Sequence, residues 1–257
     1  MTKIKYIIPT ATALLASALG LATAPAQAAT VTYNGCASTS FCTITELLAG
    51  GYIEVDENDD GTIEKVFANW MNYEFSKNPM GNPLTDPQAN IQVSATGTYI
   101  PGVSGSATLN YTIPGGINLA PPSGNVTWTS TITWEFTVTS LEYVPIMEQI
   151  DALTSASVTS PPTGAGSFVS FNGAMIMGNT PPLPVTDTMT LGPTNVYTVM
   201  DSLSLSARRT TAAPGTASVM SFSQTFTQKV IPEPGTVVGL LAVGGLGLAM
   251  KRRQKDS

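Results

Sequence analysis

The 257-residue sequence contains no histidine and only two cysteines, and charged residues make up 11% of it, less than half the usual share. Without histidine there is no Ser-His-Asp triad, no Cys-His pair and no HExxH zinc site. Eleven Lys and Arg stand against seventeen Asp and Glu. That balance lacks the basic footprint of a nucleic-acid binder, so no nucleic-acid partner is expected. The chain is long enough for one large all-β domain or two smaller ones.

The two ends read as addresses rather than fold. Residues 1–29 form an expected signal peptide: Lys3 and Lys5 give the positive start, Tyr6 to Leu21 the apolar stretch, and Ala26-Gln27-Ala28 the small-x-small cleavage pattern. An uncleaved anchor is the alternative, but Pro9 and Gly20 interrupt the stretch. At the other end, Pro232-Glu233-Pro234 leads into an uncharged run to Met250, followed by Lys251-Arg252-Arg253. A helix from Gly235 to Met250 would be about 24 Å long, short for a hydrocarbon core of about 30 Å. It spans only with snorkelling of Lys251 and Arg252, and the positive-inside rule keeps the basic cluster cytoplasmic. Everything before Pro232 is then outside the cytoplasmic membrane.

This order of features resembles the PEP-CTERM sorting signal of exported bacterial proteins, over about the last 25 residues. The resemblance implies recognition and cutting of the tail by an exosortase-type membrane protease, near Pro232-Glu233-Pro234. It also implies transient anchoring through the C-terminal helix, then attachment at the cell surface or release. A retained single-pass anchor is the alternative. The stretch from Cys36 through Cys42-Thr43-Ile44-Thr45-Glu46 to Lys65-Val66-Phe67 is similar to the opening of many cyanobacterial proteins of that group, for which no activity carries over.

Residues 30–230 form the expected mature domain. Five Lys and Arg against fifteen Asp and Glu leave it at a net −10, a charge that does not seek anionic partners but suits cations. Its strand signal is strong. From Val126 to Val138 the even positions are Val, Trp, Ser, Ile, Trp, Phe and Val, and the odd ones are Thr with one Glu. Such period-two alternation marks a half-buried antiparallel strand. Weaker copies run through Ile91, Val93, Ala95 and Tyr99; Leu109, Tyr111 and Ile113; Tyr197, Val199, Leu203 and Leu205; and Met220, Phe222 and Phe226. Pro/Gly clusters separate them. Many short strands punctuated this way predict an all-β, antiparallel, jelly-roll-like β-sandwich. Thr43-x-x-Glu46 is a capping box that predicts a short N-terminal helix ended by Gly50-Gly51. The spacing of Ile146, Met147, Ile150 and Leu153 also fits a second helix.

Cys36 and Cys42 would pair after export, closing a short loop worth about 2 kcal/mol in the chain-entropy model. Asp56-Glu57-Asn58-Asp59-Asp60-Gly61 matches the first half of a calcium loop, with Asp56, Asn58 and Asp60 at alternate positions and Glu64 at the ninth. Position twelve is Phe67 rather than Glu, and the flanks read as strands, so a solvated hairpin tip is the competing reading. Glu135, Glu142, Glu148 and Asp151 cluster in sequence without a flanking motif, and Glu135 falls on the Thr face. Trp128 and Trp134 share the apolar face, which makes them core rather than a sugar platform; Trp70 is open. Two N-glycosylation sequons, at Asn110 and Asn125, are expected by chance in so Thr-rich a chain. The sequence therefore predicts an exported, surface- or matrix-associated protein with a structural role, no catalysis and no cofactor. The alternative is a polysaccharide-binding module, with or without a requirement for calcium.

Overall fold

The structure is a computed structural model that describes residues 27–100, 103–141, 145–160, 166–177, 182–211 and 213–229. Its strands, in chain order, are β1 (Gln27–Ala28), β2 (Thr30–Asn34), β3 (Cys42–Thr43), β4 (Tyr52–Asp56), β5 (Lys65–Asn78), β6 (Gln92–Ile100) and β7 (Ser104–Leu119). They continue as β8 (Val126–Ser140), β9 (Ile146–Thr159), β10 (Phe168–Phe171), β11 (Ala174–Met177), β12 (Val185–Thr194), β13 (Val196–Arg209) and β14 (Thr216–Lys229). One helical turn and a half, α1 (Ile44–Leu48), follows β3.

The strands form two antiparallel seven-stranded sheets. The first runs β1-β6-β7-β14-β9-β12, with β3 also on β6; the second runs β11-β10-β13-β8-β5-β4-β2. From β7 onward nearly every connection passes from one sheet to the other, as double-sheet folds require. The inner faces meet in a continuous core. Tyr111 stacks on Phe222 at 4.6 Å between ring centroids, Phe171 lies 4.4 Å from Phe222, and Phe67 lies 5.6 Å from Phe226. Tyr111 and Phe222 both belong to the first sheet, and the Phe171–Phe222 and Phe67–Phe226 pairs join the second sheet to it.

The alternation read from Val126 to Val138 is β8 itself. Ile132, Trp134, Phe136 and Val138 are buried while Thr131, Thr133 and Thr137 face outward. Trp134 and Trp70 are both core residues, Trp70 stacked on Phe136 at 4.5 Å, and Trp128 packs half-buried against the same core. The predicted N-terminal helix is present. Thr43 and Glu46 cap it reciprocally, and Glu46 also accepts a hydrogen bond from the Ala37 backbone at 2.8 Å. These backbone donors hold its carboxyl below the usual range. Gly50, at φ +103°, turns the chain out of the helix. Cys36 and Cys42 are disulfide-bonded, tying the preceding loop to this turn.

Two expectations are corrected. Residues 146–153 are not a helix but the start of β9, between β14 and β12. Ladder hydrogen bonds on both sides override the apolar spacing, which looked helical because Ile150 is only half buried and Gln149 and Asp151 occupy inward positions. Met220 is 53% exposed, because a register shift between Val219 and Ser221 reverses the parity of β14 there. The expected transmembrane helix lies outside the described residues; among those, no helix is long and apolar enough to cross a membrane.

Phe136 touches Phe67, Trp70 and Phe226. Phe136→Ala is expected to cost about 3–5 kcal/mol by cavity formation, whereas Thr137→Ala on the outer face should stay within about 0.5 kcal/mol. Urea unfolding followed by tryptophan fluorescence measures both.

Candidate functional site

The acidic loop is a tight connection between β4 and β5. Asp59 and Gly61 adopt positive φ, 56° and 87°, which Asp tolerates and Gly favours. Asp56 accepts the Asp60 backbone N–H at 3.2 Å and that of Gly61 at 2.8 Å, one on each carboxylate oxygen. Asn58 accepts the Asp60 N–H at 3.0 Å and donates to its carboxylate at 3.1 Å. Asp60 accepts from the Thr62 backbone at 2.8 Å, and that bond holds its carboxyl below the usual range. Glu64 accepts from the Glu57 backbone at 2.6 Å. Ligand oxygens of Asp56, Asp60 and Glu64 lie within 4.8 Å of one another. Three of the four predicted residues thus converge, and Asn58 braces Asp60. Phe67, where a calcium loop has its bidentate Glu, is fully buried core.

The other sequence candidates do not form a site together. Glu135 lies on the outer face of β8, partly exposed, and accepts from Asn72 at 2.9 Å. Glu148 and Asp151 sit on opposite faces of β9. Glu142 lies outside the described residues.

A second polar centre escaped the pattern reading. Between the sheets, Asp201 on β13 accepts from Asn172 at 2.7 Å and from Gln224 on β14 at 2.8 Å. The Tyr111 hydroxyl lies 3.3 Å from its other oxygen. Beside it, both oxygens of Asp151 accept from Gln149, at 3.1 and 2.9 Å. Burial, above all, pushes the Asp201 carboxyl up to about 7, with the neighbouring Asp151 charge acting the same way. Asp151 is raised as well, again chiefly by burial. A cavity of about 270 Å³, lined by Gln149, Asn172, Tyr197 and Met189, reaches this network from the side of the sandwich. The signal in the sequence was a gap: Asp201 stands between Val199 and Leu203, and Gln224 between Phe222 and Phe226, each where the alternation calls for an apolar residue.

The six predicted sorting-signal residues, Pro232, Glu233, Pro234, Lys251, Arg252 and Arg253, lie outside the described residues. β14 runs to Lys229, directly before them.

A protonated Asp201 is favoured by the fold and a charged one by the unfolded chain. Its contribution to stability is therefore present below about pH 4 and lost as pH rises through about 7. Denaturant midpoints should fall over that interval, and Asp201→Asn should flatten the fall.

Comparison with known proteins bears on the C-terminal segment alone. No curated protein matches the chain. Among solved structures, the crystal structure of the GH31 alpha-xylosidase from Xanthomonas citri aligns with 82% of this chain and 29% of its own length, at 9% identity and a TM-score of 0.15. The chain thus spans less than a third of that protein, and the superposition is too loose to carry fold or activity. The family model of the PEP-CTERM protein-sorting motif matches residues 230–253, a span that holds all six predicted signal residues. The chain therefore carries a PEP-CTERM sorting motif, which implies an exported, cell-envelope-associated protein processed by an exosortase-type membrane protein.

Proposed function

We propose that residues 30–230 are a structural β-sandwich displayed at the cell surface or in the extracellular matrix, without turnover of a substrate. The observation that carries this reading is the sorting motif at residues 230–253, which begins just after the last strand. The supporting features are a chain without histidine and tryptophans packed in or against the core. In this reading the uncharged run from Gly235 to Met250 serves as a transient membrane anchor, and exosortase-type cleavage near Pro232-Glu233-Pro234 frees the domain from it. Intact mass of the protein from the envelope and from the medium should show a chain that starts near Ala29 and ends near Pro232. Retention of Lys251 to Ser257 in both fractions would rule out the processing step.

The acidic loop favours a second reading, a calcium-dependent module for extracellular polysaccharide. Asp56, Asp60 and Glu64 supply hard oxygens in a rigid turn, the ligand type that Ca²⁺ selects. Added calcium should then raise the melting temperature of the wild-type protein, and the Asp56→Ala, Asp60→Ala double variant should lose that rise. Retention on a polysaccharide column should follow the same calcium dependence. An unchanged melting temperature would leave the loop as a hydrogen-bonded turn.

A further inference from the structure

At the end of the sandwich where β5 begins, a lysine, a glutamine and a glutamate meet in the core. Lys65 is 0% exposed, Glu57 1% and Gln228 3%. They come from three parts of the chain: the first residue of β5, the turn after β4, and the end of β14. The Lys65 ammonium donates to the Gln228 side-chain carbonyl at 2.7 Å and to Glu57 in an ion pair. The Gln228 amide nitrogen donates to the Ser140 hydroxyl, which fixes the amide with its carbonyl toward the lysine. With Oε1 at 2.7 Å, the amide carbon of Gln228 is within about 4 Å of Nζ, since the C=O bond adds only about 1.2 Å.

Gly105 on β7 makes room for this arrangement. A Cβ there would lie 1.9 Å from a Glu57 oxygen and 3.4 Å from the Gln228 carbonyl oxygen. Acid and amide therefore converge over the one residue type that leaves space for both. Glu64 holds the Glu57 backbone at 2.6 Å. Phe67 and Phe226, two residues from Lys65 and Gln228, pack at 5.6 Å and close the site to water.

We propose that Lys65 and Gln228 become joined by an intramolecular amide cross-link, with Glu57 as the proton-transferring group. Burial lowers the Lys65 pKa, and this loss outweighs the Glu57 charge that opposes it. Proton transfer from the ammonium to Glu57 leaves a neutral amine beside a neutral acid, the form a dry site favours. The Nζ lone pair attacks Cδ of Gln228 to form the new C–N bond. Nζ gives one proton to Glu57, and Glu57 gives its own to the departing nitrogen. The Cδ–Nε2 bond breaks with its electron pair on nitrogen, and ammonia leaves. The ammonia then carries off the proton that Glu57 first took from the ammonium and departs as ammonium, so Glu57 returns to the carboxylate; no electrons are exchanged with any other group, and the reaction happens once per chain. A buried nucleophile held against a carbonyl in a fixed geometry has the effective-concentration advantage that such a step needs.

The test is peptide mapping of the native protein by mass spectrometry after disulfide reduction. The expected result is one species joining the Lys65 and Gln228 peptides, lighter than their sum by about 17 Da, the mass of ammonia, with trypsin unable to cut after Lys65. Glu57→Gln and Gln228→Met should each give separate peptides and normal cleavage at Lys65. Folded wild-type protein that yields both peptides separate and unmodified overturns the proposal and leaves an ordinary buried ion pair. A link from Lys65 to Glu57, with a loss of about 18 Da, overturns it equally, as does a link that still forms in Glu57→Gln. Because the decisive reading is made on the wild-type chain, a variant that fails to fold does not blunt the test.

Discussion

Burial of one face of each sheet against the other is the constraint on which the rest of this molecule depends. A strand such as β8 has a single apolar face, so a shift of one residue would carry the whole set into water. Phe67, Phe136 and Phe226 meet at one part of the core, and Tyr111, Trp134, Phe171 and Phe222 at another. Rings of this size dominate the area removed from water. They also fix which strand faces which, and so place the few polar side chains that lie among them. The low charge content fits this plan. The outer faces are covered by Thr and Ser that bond to one another across strands, such as Thr108 with Thr225 and Ser157 with Ser218. Hydroxyl pairs of this kind satisfy polar groups on those faces.

Two polar centres interrupt the core, and they differ in kind. Around Asp201 the groups are acids, amides and a phenol, and burial is relieved by keeping a proton. Around Lys65 a cation and an acid are buried together with an amide, and burial is relieved by pairing. Removing one member of such a pair strands the other. Both centres link the two sheets: Asp201 on β13 with Gln224 on β14, and Lys65 on β5 with Gln228 on β14. Strand β14 thus carries the polar contacts of the core as well as two of its large aromatics.

Much of the architecture was legible in the sequence because alternation is a direct record of one-sided burial. The run from Val126 to Val138 gave β8 and its inward residues, and Thr43 with Glu46 gave the helix and its cap. The misreadings have physical causes. A residue inserted in the ladder near Met220 changes parity without altering the residue types. Residues 146–153 sit in the middle of a sheet and carry polar side chains inward, so neither a period of two nor one of 3.6 stands out. The acidic loop was legible since its residues are neighbours in the chain. The Lys65 and Asp201 centres were not, because their members are far apart in sequence and meet only through the pairing of the sheets. Lys65 and Gln228 are 163 positions apart. For Asp201 the trace was a missing apolar residue, which points to a buried polar group but not to its partners.

The position of β14 has a mechanical consequence. It is the strand that leads into the sorting motif, and it lies inside its sheet, bonded to β7 on one side and β9 on the other. Tension applied from the C-terminal end acts along this strand, across hydrogen bonds that run perpendicular to it. Those bonds are loaded together, in shear, rather than opened one after another as on an edge strand. A protein held by that end resists extraction with the full width of its sheet.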